Sequence, residues 1–358
     1  MEDDPLEDLK AFLPPLLRAL EAQGYLARHL DPAALAATLG AMGEPDAALR
    51  AARPRLDDWP EALAGVRERL QAVADLVLTG FDELGAALEV SDVYRALRLL
   101  PRAQEALYPL AQGLPPVSRF FLGPDSREDT GIQARLAAAP ERDDVGVFQV
   151  DNEPGSRGGY SLYVPEYYDA SRAWPLVVAL HGGAGNGRGF LWSWLRDARA
   201  AGAILAAPTA IGDTWALQGE DRDSPNLLRI VHDIHARWNI DPGRMLLTGM
   251  SDGGTFCYVS GLEAGSPFTH LSPASAAFHP MLAAFADAER LQDLPIHIAH
   301  GARDWMFPAD MAREAQETLA AAGARVTYRE IEDLSHCYPR EINPDILAWM
   351  DGTESSVF

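Results

Sequence analysis

The chain has 358 residues, of which 47% are hydrophobic and 23% charged, a composition that suits a globular protein with a sizeable core. Its formal net charge of −22 repels phosphate backbones and anionic lipid surfaces, so we expect neither nucleic acid nor a membrane as a partner. The first residues, "MEDDPLEDLK", lack the basic and apolar regions of a secretory signal. We therefore expect a cytoplasmic protein in which Cys257 and Cys337 remain free thiols.

The pattern of residues 1–115 is that of helices. Asp4-Pro5 and Asp31-Pro32 each place a capping aspartate directly before a proline, an arrangement typical of a helix start. Two longer segments, opened by Asp58 and Ser91, carry apolar residues three or four apart: Trp59, Leu63, Val66, Leu70, Val73 and Val77 in the first, and Val93, Leu97, Leu100, Leu107 and Leu110 in the second. Pro101 should kink or split the second segment. We predict an all-helical N-terminal domain, acting as a cap over an active site or as the interface of a homodimer.

The character of the sequence changes after a predicted connector over residues 116–144. Residues 145–358 alternate between short apolar runs and helical segments; the strand-like runs are 145–150, 160–165, 175–183, 202–210, 244–250, 272–280, 295–301 and 325–331, and the helical segments lie near 187–200, 224–238, 252–263, 309–322 and 343–351. This alternation predicts an α/β domain with a doubly wound, mostly parallel sheet, whose first two strands form an antiparallel edge. In such sheets the chemistry collects at the carboxyl ends of the strands.

The stretch "MLLTGMSDGG" (245–254) places Ser251 between a strand and a helix. A turn this tight needs small residues two positions before and after the serine, and Gly249 and Gly253 occupy those positions. The side chain of Ser251 then projects at the strand tip, beside the positive end of the following helix. The alternative is an ordinary loop serine with glycine neighbours. The strand–turn–helix context favours a nucleophile.

A serine nucleophile needs a base, and the base needs an acid that orients it. Asp304 follows the strand at 295–301, and His336 follows the strand at 325–331, so both should lie at the same sheet edge as Ser251. The chain order of serine, acid and histidine is that of one hydrolase fold class. We therefore predict Ser251, Asp304 and His336 as the catalytic residues.

Other titratable residues fit these roles less well. Among the acids, Asp310 begins a helix and Asp293 precedes its strand, while Glu332 and Asp333 lie too close to His336 in sequence to reach behind its ring. Among the histidines, His181 and His300 begin His-Gly steps that suit hydrogen bonding to loop backbone. His232 and His235 share a helix, but no third metal ligand stands at a recognisable spacing from them. We predict no metal and no cofactor.

The glycine-rich segment "ALHGGAGNGRG" (179–189) precedes the nucleophile and follows a strand. Its glycines allow backbone N–H groups to face a developing oxyanion. We predict the N–H of Asp252 and that of Gly183, with Ala184 as the second choice for the loop donor, as the oxyanion hole. A phosphate-binding loop would need Gly-Lys-Ser/Thr, whereas this sequence has Gly187-Arg188-Gly189.

Residues 145–351 resemble the α/β-hydrolase superfamily in four motifs: "LHGGAG", "GMSDGG", "HGARDWMFP" and "LSHCYP". Their short spacings are similar to those of the phospholipase/carboxylesterase and dienelactone-hydrolase group and of feruloyl-esterase-like enzymes. The resemblance implies a serine esterase of the carboxylesterase type, working through an acyl-enzyme with Ser251, Asp304 and His336 as catalytic triad. Phe307 stands where this group often has valine. The helical first third lies outside the resemblance.

The expected substrate is a small or medium uncharged ester. The candidates for the substrate pocket are residues on loops that should border the site, namely Trp192, Trp215, His279, Trp305 and Met306. A triad does not separate esters from amides, so a serine peptidase or aminoacyl hydrolase of the same fold remains an alternative. A third reading is a hydrolase-like binding protein without catalysis.

Overall fold

The computed structural model describes residues 5–352. They fall into two compact units, one running to Ala137 and the other beginning at Ala138. The first unit is helical, with α1 (Pro5–Arg28), α2 (Leu35–Met42), α3 (Ala47–Ala52), α4 (Ala64–Gly85), α5 (Val90–Leu97), α6 (Leu99–Leu107), α7 (Pro115–Phe120) and α8 (Thr130–Ala138), the last of which ends at the boundary. The all-helical N-terminal domain is thereby confirmed; the predicted cap Asp4 lies outside the described residues.

Apolar residues at helical spacing form the core of this unit. The buried members include Leu70, Val73 and Val77 on α4, and Val93 on α5. The second predicted segment is split as expected, because α5 ends at Leu97 and α6 begins at Leu99, shortly before the proline. The start of α5 differs from the prediction by two residues. Glu89, with Asp92, forms a capping box there, and Ser91 lies inside the helix.

The predicted connector over 116–144 is wrong in most of its length, since α7 and α8 lie within 115–138. Pro115 and Pro116 occupy the first two positions of α7, where a missing N–H costs nothing, so here they begin a helix and do not mark a linker. Phe120 and Phe121 are buried and meet edge to face at 5.1 Å between ring centroids. This segment therefore contributes to a hydrophobic core.

The second unit is built on an eight-stranded sheet in the order β1-β2-β4-β3-β5-β6-β7-β8. The strands are β1 (Gly146–Val150), β2 (Tyr160–Val164), β3 (Trp174–Leu180), β4 (Ile204–Pro208), β5 (Ile240–Met250), β6 (His270–Ala274), β7 (Pro295–Gly301) and β8 (Arg325–Ile331). β1 and β2 are antiparallel to their neighbours, and all later pairs are parallel. The predicted mostly parallel sheet with an antiparallel edge is confirmed.

Helices flank this sheet and connect its parallel strands. They are α9 (Gly187–Phe190), α10 (Leu195–Ala201), α11 (Asp223–His235), α12 (Asp252–Gly261), α13 (Met281–Phe285), α14 (Ala288–Leu291), α15 (Ala309–Ala321) and α16 (Asn343–Met350). Central strands β3 and β4 are buried along their whole length, as expected of strands covered on both faces. In the described part of the chain, no helix combines the length and apolar character needed to cross a membrane.

One strand is shorter than predicted. β6 ends at Ala274 and does not extend to 280, because Ser275 has a φ of 45° and turns the backbone out of the extended conformation. His279 therefore lies well beyond the strand end, next to α13. By contrast β5, β7 and β8 end at Met250, Gly301 and Ile331, so Ser251, Asp304 and His336 follow strand ends at the same edge of the sheet.

Candidate active site

Ser251 occupies a strained turn between β5 and α12. Its φ of 55° and ψ of −121° are rarely adopted by a residue with a side chain. A Cβ atom at Gly249 would lie 2.5 Å from the carbonyl oxygen of Gly253, and one at Gly253 would lie 2.5 Å from that of Leu180. Both glycines are therefore sterically required, as the sequence pattern predicts. The turn leaves the hydroxyl of Ser251 at the tip of a central strand.

Replacing Ser251 by glycine should stabilise the protein relative to Ser251→Ala. Glycine accepts the observed φ without a steric penalty, so we expect the free energy of unfolding to rise by about 1 kcal/mol in urea denaturation. The control is Ala315→Gly within α15, which should instead lose about 1 kcal/mol because that backbone is ordinary helix. A glycine variant at position 251 that is less stable than the alanine variant would contradict strain at this turn.

Ser251, His336 and Asp304 form one hydrogen-bonded chain. Nε2 of His336 lies 3.0 Å from Oγ of Ser251, and Nδ1 lies 2.9 and 3.0 Å from the two carboxylate oxygens of Asp304. When Nδ1–H donates to the carboxylate, Nε2 is the nitrogen left to accept the serine proton. The side chain of Asp304 is fully buried, and His336 is 4% exposed. The structure thus brings together the three residues predicted from chain order.

The surroundings of Asp304 keep its carboxylate ionised. Burial by itself would raise its pKa, but hydrogen bonds from His336 and from the backbone N–H groups of Phe307 and Met306 outweigh it, and the pKa is lowered. The two N–H groups reach Oδ1 at 2.8 and 2.9 Å. The ring of Phe307 also meets His336 edge-on, with centroids 5.3 Å apart. The carboxylate and the imidazole are therefore both held in place.

The loop after β3 is anchored by His181. Its Nδ1 donates to the carbonyl of Gly182 at 2.7 Å, and Nε2 accepts the N–H of Ala210 at 3.1 Å. Burial lowers the pKa of His181 to about 4, so the ring is neutral and fits this donor–acceptor pattern. The structural role expected for His181 is confirmed. His300 also contacts loop backbone, because its Nε2 lies 2.9 Å from the carbonyl oxygen of Phe307.

The glycine loop and the start of α12, which carry the predicted oxyanion donors, border the nucleophile. A Cβ at Gly182 would lie 3.5 Å from Cβ of Ser251, so the glycine loop runs past the serine. Gly183 and Ala184 are exposed, and Ala184 has a φ of 53°. Asp252 is the first residue of α12, and its N–H is one of those that a helix start leaves without an internal partner. A free N–H group at a helix start is a general donor for an anion.

The five pocket candidates are found in different environments. Trp305 and Met306 are 49% and 44% exposed, and the ring of Trp305 meets that of His336 edge-on at 6.1 Å. Trp215 is a core residue, since its N–H donates to the carbonyl of His181 and its ring stacks on a phenylalanine of α12; its assignment to the pocket is wrong. Trp192 is also buried.

His279 does not stand at a strand end. It is exposed, and its Nδ1 accepts the N–H of Met281 at the start of α13. The strand that should have carried it to the site stops five residues earlier. Both cysteines are free thiols, as predicted, and both are buried. Within residues 5–352, no group of three metal-ligating side chains lies close enough together to hold an ion.

Two contributors to the site escaped the sequence interpretation. The hydroxyl of Thr214 donates to Oδ2 of Asp252 at 2.5 Å, and no motif marks this threonine. The N–H of Phe307 supports Asp304. A signal for Phe307 was present in "DWMFP", where a bulky residue three positions after the acid corresponds to the valine common in similar enzymes.

Part of the chain is similar to known esterases. Residues 222–350 match the model of the Phospholipase/Carboxylesterase family. Over 120 residues the chain is 31% identical to a protein of Aspergillus terreus described as "Probable feruloyl esterase C"; the match covers 32% of this chain and 44% of that protein. The chain thus spans less than half the length of that curated relative.

Solved structures of esterases match part of this chain at low sequence identity. A thermostable esterase is 22% identical with a TM-score of 0.44, each chain being covered to 60%. A ferulic acid esterase is 15% identical with a TM-score of 0.49, covering 58% of this chain and 97% of its own. The α/β unit has the eight-stranded, mostly parallel sheet that the sequence resemblance implied, and its residues 222–350 match the model of the Phospholipase/Carboxylesterase family.

Proposed function

We propose that the protein is a serine-dependent carboxylic ester hydrolase that forms an acyl-enzyme on Ser251. The observation that carries the proposal is the hydrogen-bonded chain from the hydroxyl of Ser251 through His336 to Asp304. A serine hydroxyl is inert without a base, and the imidazole of His336 at 3.0 Å is within reach of its proton. The proposal is supported by the name of the Aspergillus terreus relative, "Probable feruloyl esterase C", which matches 32% of this chain.

In the first half-reaction, Nε2 of His336 takes the proton as Oγ of Ser251 attacks the ester carbonyl carbon. The buried carboxylate of Asp304 holds the tautomer with the proton on Nδ1 and stabilises the imidazolium that forms. His336 then gives its proton to the departing alcohol. In the second half-reaction Nε2 of His336 takes a proton from water as the water attacks the acyl carbon. His336 then gives that proton to Oγ of Ser251 as the bond to the acyl group breaks and the acid leaves.

The tetrahedral intermediates carry a negative oxygen that needs donors already in place. We assign the N–H of Asp252 and the N–H of Gly183 to this task, with Ala184 as the alternative loop donor. The strained turn at Ser251 supports this assignment, because Asp252 follows the nucleophile directly and is the first residue of α12. Loss of one such donor typically lowers kcat by about 100-fold or more.

The expected substrate is a small or medium uncharged ester. Half-exposed Trp305 and Met306 beside His336 offer an apolar surface for one side of the ester. The carboxylate of Asp252 and the overall charge of −22 disfavour an anionic substrate. The esterase named among the relatives suggests an aromatic acyl group as one class to include in a test.

A substrate panel tests the proposal. It would contain p-nitrophenyl acetate, butyrate and palmitate, methyl ferulate, a carboxylate-bearing ester and the p-nitroanilide of butyrate. We expect the highest kcat/KM for the short uncharged esters, and a lower value for the carboxylate-bearing ester. Preference for the anilide over the matched ester would favour the peptidase alternative. No turnover of any ester would contradict the proposal.

A further inference from the structure

The proposed mechanism gives the carboxylate of Asp252 no role. This side chain is partly buried, directly follows the nucleophile, and accepts the hydroxyl of Thr214 on Oδ2 at 2.5 Å. Thr214 lies on the loop between β4 and α11, 38 residues away in sequence. The contact therefore joins the first residue of α12 to a separate loop beside the site.

That loop is itself fixed at several points. The buried carboxylate of Asp223 accepts the N–H of Ile211 at 2.8 Å and that of Ala216 at 2.9 Å. Trp215 donates its indole N–H to the carbonyl of His181 at 2.7 Å. Thr214 is therefore presented from a rigid support, which makes its hydroxyl a defined anchor for Asp252.

The same carboxylate packs against the glycine loop. A Cβ atom at Gly183 would lie 2.8 Å from Oδ2 of Asp252, which is closer than real Cβ contacts. Glycine at 183 therefore lets the loop backbone lie directly over the carboxylate. Arg157 holds the other end of this loop, donating to the carbonyl of Gly185 at 2.9 Å and to that of Gly212. The carboxylate thus touches both the Thr214 loop and the loop that carries the second oxyanion donor.

We propose that Asp252 and Thr214 form a clamp that positions the two oxyanion donors, the N–H groups of Asp252 and Gly183, relative to each other. This inference rests on the proposed function, because it assigns a positioning role within that reaction. The oxygen that accepts from Thr214 is also the atom that a Cβ on Gly183 would meet first, so the same atom lies between the two loops. Small errors in such positions are costly, about 100-fold in rate for a displacement of about 1 Å.

The contribution of this carboxylate is geometric. Its negative charge opposes the charge that develops on the substrate oxygen, so electrostatics alone would disfavour it there. Asparagine keeps an oxygen that can accept from Thr214 and removes the charge. The clamp therefore predicts a higher kcat for Asp252→Asn than for Asp252→Ala, because asparagine keeps the oxygen that accepts from Thr214.

The experiment measures kcat and KM for p-nitrophenyl butyrate in the full chain with Thr214→Val, Thr214→Ser, Asp252→Ala and Asp252→Asn. We expect Thr214→Val and Asp252→Ala to lower kcat about tenfold to 100-fold, with KM changed less than about threefold. Thr214→Ser keeps the hydroxyl and should restore the parental kcat. The matched control is Thr38→Val on α2, whose hydroxyl bonds only its own helix in the described structure.

Affinity for phenylboronic acid, which forms a tetrahedral adduct with an active serine, provides a second readout. It should fall in Thr214→Val by the same factor as kcat/KM, because both depend on the oxyanion donors. Parental kcat in Thr214→Val, or reduced kcat with unchanged boronate affinity, would overturn the clamp. A parent protein that hydrolyses no ester would instead overturn the proposed function, so the two failures are distinguishable.

Discussion

Replacing Ser251 by alanine should lower kcat for p-nitrophenyl butyrate by about 10⁴-fold to 10⁶-fold, because no other hydroxyl is held at the base in the described structure. The fold should be retained, since the change removes one oxygen from a side chain that is 7% exposed. Steady-state kinetics, with circular dichroism on the same preparations, measures both quantities.

The control for this variant is Ser335→Ala. Ser335 is the neighbour of His336, and its hydroxyl is buried with no hydrogen-bond partner among the described residues. Its removal should leave kcat within about threefold of the parent, as expected for a hydroxyl that makes no hydrogen bond. Turnover by Ser251→Ala that stays within tenfold of the parent would exclude Ser251 as the nucleophile.

Replacing Asp304 by asparagine should lower kcat by about 10³-fold to 10⁴-fold. Asparagine keeps an oxygen for the N–H groups of Met306 and Phe307, so the loop should stay in place. It removes the charge that holds the proton on Nδ1 of His336 and that stabilises the imidazolium. The comparison variant is Asp310→Asn, an exposed carboxylate on α15, which should be as active as the parent.

The same variant should change how stability depends on pH. The pKa of Asp304 is lowered by folding, so the ionised carboxylate stabilises the folded state above the ordinary aspartate value of 3.8. That contribution is lost as the pH falls through the lower folded value. Urea denaturation should therefore show a smaller loss of stability between about pH 5 and pH 2 in Asp304→Asn than in the parent.

Buried histidines add a separate loss at higher pH, which both proteins share. Burial lowers the pKa values of His181, His270 and His297 to about 4 each, so the unfolded chain binds more protons below 6.5. Stability should therefore decline from about pH 6.5 towards pH 4 in parent and variant alike. An identical decline of both proteins below pH 4 would contradict the depressed pKa of Asp304.

The positions of the catalytic residues were predictable from the sequence where local steric constraints and sheet topology determine them. Gly249 and Gly253 fix the turn around Ser251 by steric exclusion, which a five-residue pattern records directly. Asp304 and His336 follow the ends of parallel strands, and parallel strands end at one edge of the sheet. Local pattern and topology together therefore placed the three side chains.

The remainder depends on contacts between distant segments. The roles of Trp215, which packs between His181 and α12, and of Thr214, which reaches Asp252, follow from how loops fold over the sheet. Prolines at 115 and 116 are typical of both a linker and a helix start, and only packing of the following aromatic residues separates the two. The role of the helical unit as cap or interface stays a prediction.

Labelling with a fluorophosphonate tests the central claim most directly. The reagent phosphonylates a serine that an adjacent base activates, so incubation should add one phosphonyl group per chain, and peptide mass spectrometry should place it on Ser251. Asp304→Asn should label more slowly, and Ser251→Ala should not label. Stoichiometric labelling of another residue, or a parent protein that stays unlabelled at high reagent concentration while correctly folded, would contradict Ser251 as the nucleophile.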